Sequence, residues 1–334
     1  MFAYRKSMIC MKKIGVFVTQ YSLLVYLLIS KDWRDTQFIF SGSRISTEII
    51  RKLGLCVKFP IIGAYTVGIG EMIRKNSNFL LLFFFRVAYK LLRMRMKIKF
   101  SCWKYFLKTQ CIKVYGQDHA EMASFFFDYD FTLIEDGASN YFTYDQLLKD
   151  LKVIGLDNLD KFCPLGWNNY VNTIYLSGRG RIPAELEHKT KIFDLHEQWK
   201  CKSEKEQKDI MGIFNFDYDK MYNIVSSGKN VFLLTQNLSP LYFSASELVN
   251  IYKDILSPYS YENVVIKPHP VDYICYEEFF PSCMVLRDEF PFELMYFTAI
   301  PIKKVVSIDS TAIMGLWDSS LIDAHPEYSP HKTV

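Results

Sequence analysis

The sequence predicts an α/β fold made of two Rossmann-like domains, each with a parallel β-sheet. Short apolar runs alternate with longer amphipathic stretches from residue 14 onward, and the same alternation returns after residue 220. Such alternation is typical of the strands and helices of doubly wound parallel sheets. A chain of 334 residues is also long enough for two domains that each have a hydrophobic core.

The predicted elements follow one another in a regular order. In the first half they are a strand at Ile14 to Thr19, a helix at Leu23 to Ser30, a strand at Gln37 to Phe40, a helix at Ser46 to Leu53 and a strand at Cys56 to Ile61. In the second half they are a strand at Asn230 to Thr235, a helix at Ser244 to Leu256, a strand at Asn263 to Lys267, a helix at Phe290 to Thr298 and a strand at Lys304 to Ile308.

We place the domain boundary near residue 220, which gives an N-terminal domain over residues 11–220 and a C-terminal domain over residues 221–334. The Lys- and Glu-rich segment from Glu197 to Asp209, with the Tyr- and Asp-rich stretch after it, is expected to connect them. Met11 leads directly into the first predicted strand, so residues 1–10 are expected to be an extension upstream of the true start.

The composition and short motifs of the chain favour some classes of protein and of binding site over others. With 50% hydrophobic and 23% charged residues the chain is globular, and its net charge of +4 does not indicate a nucleic-acid partner. The eight cysteines form no Cys-x-x-Cys pair, so we expect a reducing compartment and no metal site. No convincing signal peptide precedes the first strand, which favours a cytoplasmic protein. Neither a P-loop nor a strict Gly-x-Gly-x-x-Gly pattern is present.

The segment from residue 79 to residue 108 combines a leucine and aromatic block with alternating basic and large apolar residues. Its uncharged part is about half of the roughly 20 residues that a spanning helix needs. Two interpretations stay open. The segment is either a basic amphipathic surface that rests on anionic lipid or a buried helix with a solvated basic face.

A histidine stands at the exit of one predicted strand, in Lys267-Pro268-His269-Pro270. The two prolines fix the backbone and remove two N–H donors, so this stretch is predicted to be a rigid loop. Ligands of open α/β sheets bind at the carboxyl ends of strands. A protonated His269 beside Lys267 would neutralise a departing phosphate or give it a proton, although a histidine without a function remains the alternative.

Two adjacent carboxylates end another strand-like run, in Glu135-Asp136-Gly137. Neighbouring residues of an extended segment point to opposite sides, so only one of the two faces a given cleft. We interpret that one as a general base for an incoming hydroxyl, and a solvated loop or a helix cap is the alternative. Gly137 permits a tight turn and the close approach of a substrate.

Further polar residues stand at other strand or helix ends of the second half. Ser310 and Thr311 precede a helix-like run and suit a phosphate, or merely cap that helix. Glu293 is suited to a ribose diol, or favours a helix N-terminus. Gln236 and Asn237 are able to read a base edge, or simply close a turn.

In their order along the chain, Glu135-Asp136-Gly137, His269-Pro270 and Ser310-Thr311 resemble the three short motifs of bacterial sialyltransferases. The contexts Leu234-Thr235-Gln236 and Ile266 to Pro270 look most like glycosyltransferase family 52, which includes lipooligosaccharide sialyltransferases. The motifs span residues 135–311, a little over half of the chain.

The resemblance implies a GT-B fold, in which two Rossmann-like domains face a central cleft. It implies an N-terminal domain that binds the acceptor and a C-terminal domain that binds a CMP-activated donor. The expected reaction is an inverting, metal-independent transfer of sialic acid from CMP-sialic acid to a terminal galactose of lipooligosaccharide or lipid-linked O-antigen. No cofactor is expected. The leading hypothesis puts residues 79–108 near the cytoplasmic side of the inner membrane, which is one of the two interpretations left open above for this segment.

The resemblance also assigns roles to individual residues. Asp136 is implied as the base, with Glu135 beside it, and His269 as the group that stabilises or protonates the CMP phosphate. The residues implied to contact the donor are Ser310 and Thr311 at its phosphate and Glu293 at its ribose. Lys267, Pro270, Gln236 and Asn237 are further donor-binding candidates. The motif begins with Glu, and Asn237 stands where a proline often follows Thr-Gln, so the choice of base and the recognition of cytosine stay open.

Two alternatives remain at the level of sequence. One is another GT-B transferase with a CMP- or CDP-activated donor, such as a polysialyl-, Kdo- or glycerol-phosphate transferase. The other is a non-catalytic protein that binds glycans or membranes, for which substitutions at Asp136 and His269 would leave every activity unchanged.

Overall fold

The computed structural model describes residues 13–41, 45–53, 56–59, 91, 94, 112–153, 164–236, 238, 242–270, 272–308, 310, 312–313 and 318–329. The chain divides into two compact units, Met1–Gln198 and Trp199–Val334.

The first unit contains a parallel sheet of seven strands among its described residues, in the order β3-β2-β1-β4-β5-β6-β7. The strands are β1 Lys13–Phe17, β2 Thr36–Ser41, β3 Cys56–Phe59, β4 Lys113–Gly116, β5 Asp130–Ile134, β6 Val171–Leu176 and β7 Thr190–Ile192. The helices are α1 Gln20–Ile29, α2 Thr47–Lys52, α3 Tyr144–Val153, α4 Ala184–Glu187 and α5 Leu195–Lys200, the last of which crosses the division between the units.

Helix α1 lies deep in the first unit. Its residues from Leu23 to Leu28 are at most 1% exposed, which is why this stretch of the sequence is apolar on every side. The hydroxyl of Thr19 caps the helix by accepting a hydrogen bond from the Ser22 N–H. The helix therefore begins one turn after β1 ends, and Thr19 is fixed at the carboxyl edge of the sheet.

The second unit contains a parallel sheet of five strands among its described residues, in the order β10-β9-β8-β11-β12. The strands are β8 Val231–Leu234, β9 Val264–Lys267, β10 Met284–Val285, β11 Lys304–Ser307 and β12 Ile322–Ala324. The helices are α6 Glu204–Ile213, α7 Tyr218–Ser226, α8 Ala245–Ile255, α9 Tyr276–Phe279 and α10 Glu293–Phe297. Helix α8 begins with a capping box formed by Ser244 and Glu247.

Each sheet reverses its strand order once. In the first unit the reversal falls between β1 and β4, and in the second it falls between β8 and β11. At such a switch point the connections leave to opposite faces of the sheet and open a crevice beyond the carboxyl ends of the strands, where ligands of open α/β sheets bind. The strand order therefore predicts one ligand-binding edge in each unit.

The second unit begins at Trp199, upstream of the boundary near residue 220 that the sequence predicts. Aromatic contacts account for this position. Trp199 stacks on Phe297 with ring centroids 5.3 Å apart, and Phe216 meets Phe290 edge to face at 5.0 Å. These contacts attach the helical segment before residue 220 to the second unit.

The parallel α/β architecture that the sequence predicts is confirmed, and each of the ten predicted elements listed above corresponds to an observed strand or helix. The strand-like run that precedes the acidic pair is also observed, as β5, which begins at Asp130 after the 3-10 turns of Glu121–Phe126.

The basic segment at residues 79–108 lies outside the described residues except for Leu91 and Met94. Both are helical and more than half exposed, at 56% and 55%. Among the described residues we find no helix with the length and apolar character needed to cross a bilayer.

A substitution at Gly116 tests how closely β4 packs beside β1. Its φ of 144° suits glycine, and a Cβ built there would lie 1.9 Å from the Val16 carbonyl oxygen. We expect Gly116→Ala to lower the free energy of unfolding by about 2 to 5 kcal/mol, because the backbone of a central strand would have to move.

Differential scanning calorimetry provides the measurement, with Gly212→Ala as the matched control. A Cβ at Gly212, inside α6, meets nothing within 4 Å, so that change is expected to be neutral or to stabilise by at most about 1 kcal/mol. Equal melting temperatures for Gly116→Ala and the wild type would contradict the observed approach of the two strands.

Candidate active site

The acidic pair lies in a turn at the carboxyl end of β5. The Asn140 side-chain oxygen accepts hydrogen bonds from the N–H groups of Asp136, at 2.7 Å, and Gly137, at 3.2 Å. Gly137 has a φ of 143°, a conformation that glycine adopts without strain. The tight turn predicted for Gly137 is therefore present, and the buried Asn140 holds it.

The Asp136 carboxylate is bound by side chains from two neighbouring strand ends. Its Oδ1 accepts hydrogen bonds from Gln117 Nε2, at 2.7 Å, and from the Thr19 hydroxyl. Its Oδ2 lies 3.2 Å from His119 Nε2. The carboxylate is thus fixed by residues that follow β1 and β4, the two strands on either side of the switch point.

Gln117 connects this carboxylate to the backbone of the β1 exit. While its amide nitrogen donates to Asp136, its oxygen accepts a 2.7 Å hydrogen bond from the Val18 N–H. Gln117 is fully buried, whereas the side chains of Asp136 and His119 are 16% and 31% exposed. Solvent or a substrate can therefore reach the carboxylate and the imidazole, but not the Gln117 amide that orients the carboxylate.

The Glu135 side chain points to the opposite side of the chain from Asp136, as expected for neighbouring residues of an extended segment. It is only 1% exposed, and its oxygens accept hydrogen bonds from Tyr21 OH, at 3.1 Å, and from the N–H and hydroxyl of Ser177. Burial raises the pKa of Glu135, while these bonds and the nearby positive charge of Arg179 oppose that rise. The structure thus separates the pair into a buried, fully bonded Glu135 and an accessible Asp136.

His269 follows β9 at the carboxyl edge of the second sheet. Its N–H donates a 2.9 Å hydrogen bond to the hydroxyl of Thr235, which follows β8. The two strands are paired in parallel, Leu234 opposite Lys267, so both exits are adjacent. The loop that contains His269 and Pro270 is therefore attached to the strand beside the switch point.

Lys267 is directed at the main chain of a neighbouring loop. Its Nζ donates a 2.7 Å hydrogen bond to the Asp288 carbonyl oxygen and lies 4.1 Å from the centre of the Phe290 ring. Burial lowers the pKa of Lys267 to about 8, against the opposing influence of nearby carboxylates that include Glu293. In this arrangement its charge supports the loop after β10 and adds positive potential near the histidine.

Ser310 lies just after β11, on the far side of the switch point from Thr235. Its N–H donates to the buried Ser307 hydroxyl at 3.1 Å, and its own hydroxyl accepts from the Ala312 N–H at 3.4 Å. This capping geometry is typical of a turn that starts a helix. Ala312 and Ile313 form the start of a 3-10 turn, and Thr311 lies outside the described residues.

The remaining donor-site candidates occupy different positions in the second unit. The Gln236 N–H donates to Tyr252 OH at 3.0 Å, while its side-chain oxygen is buried and has no hydrogen-bond partner among the described residues. Such an oxygen favours a ligand that brings an N–H group. Glu293 is the first residue of α10 and is 4% exposed, and Asn237 lies outside the described residues.

The structure assembles the sequence candidates into two groups, one in each unit. Glu135 and Asp136 form the group of the first unit, and Lys267, His269, Pro270, Gln236, Glu293 and Ser310 belong to the second. Within the described parts of the chain, no cluster of three or more His, Cys, Asp or Glu side chains is arranged to hold a metal ion.

Sequence reasoning missed the residues that orient Asp136, namely Thr19, Gln117 and His119. A signal was available only for Thr19, which stands directly before an apolar helix and has the chemistry of an N-cap. Gln117 and His119 follow β4, whose sequence Lys-Val-Tyr-Gly is not an apolar run and was not recognised as a strand.

Comparisons with known proteins agree with this architecture. The model of glycosyltransferase family 52 matches residues 70–323. An uncharacterized protein of Haemophilus influenzae is 30% identical over 230 residues, which cover 68% of this chain and 73% of that protein.

Two solved structures show the same fold. One is a 2,6-sialyltransferase of Photobacterium sp. JT-ISH-224, solved with CMP and lactose, with a TM-score of 0.57 at 15% identity over 93% of this chain and 70% of that one. The other is the GT-B domain of a Photobacterium damselae sialyltransferase, with a TM-score of 0.53 at 14% identity over 93% and 89%. The predicted GT-B type of fold is confirmed.

The two carboxylates are expected to respond differently to amide substitution. Glu135→Gln places an NH₂ group against Tyr21 or Ser177 donors, so we expect a loss of about 1 to 3 kcal/mol in the free energy of unfolding. Asp136→Asn keeps an oxygen for Gln117 and Thr19, and its effect is expected to stay below about 1 kcal/mol. Chemical denaturation of both variants measures the difference, and an equal loss would show that Asp136 is as structural as Glu135.

Proposed function

Because the chain belongs to glycosyltransferase family 52, which makes it a glycosyltransferase, we propose that it is an inverting sialyltransferase that uses CMP-sialic acid. The proposed acceptor is a terminal galactose on a bacterial surface glycan. The likeness in fold to sialyltransferases, one of them solved with CMP and lactose, supports this choice of donor and of sugar acceptor.

The observation that carries the proposal is the environment of Asp136. An accessible carboxylate held by Gln117, Thr19 and His119 at a switch point has the features of a general base, because it is fixed in direction and still open to a substrate. Glu135, which is buried and fully bonded, lacks that access. The proposal therefore gives the role of base to Asp136 and a supporting role to Glu135.

In the proposed reaction the acceptor hydroxyl gives its proton to Asp136 while its oxygen bonds to the anomeric carbon of sialic acid. The bond from that carbon to the CMP phosphate oxygen breaks at the opposite face, so the anomeric configuration inverts. His119, 3.2 Å from Asp136, is placed to share the proton and stabilise the protonated base. The two electrons of the broken bond leave with the phosphate.

The second unit is proposed to bind the departing CMP. His269 gives the phosphate a proton or a positive charge, Ser310 and Thr311 give it hydroxyl hydrogen bonds, and the Lys267 charge adds favourable potential. Glu293 is proposed for the ribose hydroxyls, and Gln236 with Asn237 for the amino edge of cytosine. The buried side-chain oxygen of Gln236 supports that last role, since the cytosine amino group is an N–H donor.

The reaction is proposed to need no metal ion. The leaving group is a phosphate monoester whose charge does not exceed what a protonated histidine, a lysine and hydroxyl donors can balance. The transferred sialyl group has oxocarbenium-ion character in the transition state, so its bond to the departing CMP phosphate breaks with little further assistance. Activity in the presence of a chelator is therefore part of the proposal.

The acceptor is proposed to be lipid-linked, as lipooligosaccharide or O-antigen, and the protein to act in the cytoplasm at the inner membrane. The basic segment at residues 79–108 supports this, because lysine and arginine side chains interleaved with apolar ones suit an anionic bilayer surface. Leu91 and Met94, the described residues of this segment, are apolar and more than half exposed, which also agrees with contact to a lipid surface.

The test is acceptor-dependent release of CMP from CMP-sialic acid by purified protein in EDTA. We expect Asp136→Asn to lower kcat by about 10² to 10⁴ and His269→Ala to lower it comparably, because each removes one proton-transfer group. Matched controls are Asp145→Asn and His188→Ala, both at exposed positions of the first unit, which are expected to keep wild-type rates. A β-galactoside in solution and a galactose-terminated glycolipid in anionic vesicles serve as the acceptors.

Faster transfer to the vesicle-bound acceptor would support the lipid-linked substrate, and equal rates would contradict it. Consumption of CMP-Kdo or CDP-glycerol in place of CMP-sialic acid would keep the scaffold and overturn the donor. Transfer that survives both substitutions would show that neither residue is catalytic.

A further inference from the structure

The main chain of His269 is held on both sides by hydrogen bonds. Its N–H donates to Thr235 Oγ1 at 2.9 Å, and its carbonyl oxygen accepts from the Asp272 N–H at 2.8 Å. These two partners are themselves bonded, because Thr235 Oγ1 donates to Asp272 Oδ2 at 2.8 Å. The three residues therefore close a ring, which we call the His269 latch.

The two prolines explain why this loop depends on a side-chain hydrogen bond. Of the three consecutive residues Pro268, His269 and Pro270, only His269 has an N–H group, so a main-chain ladder cannot continue here. That one donor is taken up by a side chain of the neighbouring strand exit. Removing the Thr235 hydroxyl would leave the loop without its one main-chain donor contact at the histidine.

The remaining bonds of Asp272 keep the latch in place. Its Oδ2 also accepts from Tyr276 OH at 2.6 Å, and its Oδ1 accepts from the Ile274 N–H at 3.0 Å. Thr235 is 3% exposed and Tyr276 is fully buried, so water competes little for these bonds. The carboxylate thus joins the exits of β8 and β9 to the start of α9.

We propose that Thr235 and Asp272 are positioning residues that set the place of the His269 imidazole relative to the donor phosphate. The inference rests on the proposed role of His269 in the transfer. A proton donor must lie within hydrogen-bond reach of its target, and a displacement of about 1 Å can cost about 10²-fold in rate. The two prolines fix φ angles within the loop, but they do not fix how the loop is oriented relative to the sheet. The hydrogen bonds of the His269 latch fix that orientation.

A purely structural role for Thr235 makes a different prediction. If its hydroxyl only stabilised the fold, its loss would lower activity to the same degree whether or not the histidine is present. A positioning role predicts that the loss matters only while His269 is there to be positioned. A double-mutant cycle separates the two.

The variants are Thr235→Val, which keeps the shape and removes the hydroxyl, and Thr235→Ser, which restores it. We expect Thr235→Val to lower kcat about 10- to 100-fold with the KM for CMP-sialic acid within about twofold, and Thr235→Ser to recover most of the rate. In the His269→Ala background, Thr235→Val is expected to change kcat by less than about twofold. Thr190→Val, whose hydroxyl donates to a carbonyl in the first unit, is the control and is expected to keep the wild-type rate.

An equal loss of kcat in both backgrounds would overturn the positioning role, as would a loss that Thr235→Ser does not recover. Amide hydrogen exchange at His269 tests the latch without any turnover. The amide is expected to be protected in the wild type and in Thr235→Ser, and to exchange faster in Thr235→Val. If the wild type does not consume CMP-sialic acid, the proposed function fails, and exchange at His269 still decides the latch: unchanged protection in Thr235→Val overturns it.

Discussion

The parallel register of β1, β4 and β5 is the constraint on which the candidate site of the first unit depends. Val16 pairs with Gly116 and Gly116 with Leu133, so the three strands end at one edge of the sheet. Thr19, Gln117, His119 and Asp136 follow those ends and meet there because of it. A side chain on Gly116 would separate two of these strands at the place where the Asp136 environment is built.

The second unit also brings polar side chains together at the carboxyl edge of its sheet, but with different residues. Its strand order also reverses beside its first strand, and Thr235 and Ser310 follow the two strands that flank the reversal. Hydroxyl groups there replace the carboxylate and the imidazole of the first unit. Such groups suit a phosphate, whereas the accessible carboxylate of the first unit suits a hydroxyl that must lose its proton. The chemistry of each edge thus matches one half of a transfer reaction.

Much of this arrangement was predictable from local sequence patterns. Strands β1, β8, β9 and β11 are apolar runs followed by polar residues, which is why they and the polar groups at their exits were found. The resemblance to glycosyltransferase family 52 is confirmed over residues 70–323. The pattern was also sufficient to predict that only one carboxylate of the acidic pair would be accessible.

Most partners of Asp136 and His269 were not predictable in this way, because they follow the ends of other strands. His119 is 17 positions before Asp136 (136 − 119), and it meets the carboxylate only because β4 and β5 are paired. Thr235 is 34 positions before His269 and looks like an ordinary turn residue in the sequence, and it meets His269 only because β8 and β9 are paired. Asp272 is close to His269 in the sequence, but its carboxylate accepts from Thr235 only in the folded sheet. Strand β4 has the same length as β8, β9 and β11 but alternates exposed or half-buried residues with buried ones in place of an apolar run, and β10 has only two residues.

We propose that the first unit activates the acceptor while the second binds the nucleotide. Calorimetric titration of CMP into the wild type, Asp136→Asn and His269→Ala tests it most directly. We predict that Asp136→Asn binds CMP within about twofold of the wild type, and that His269→Ala binds it about tenfold or more weakly, a loss of about 1.4 kcal/mol. A loss of CMP affinity in Asp136→Asn, with wild-type affinity in His269→Ala, would contradict the claim.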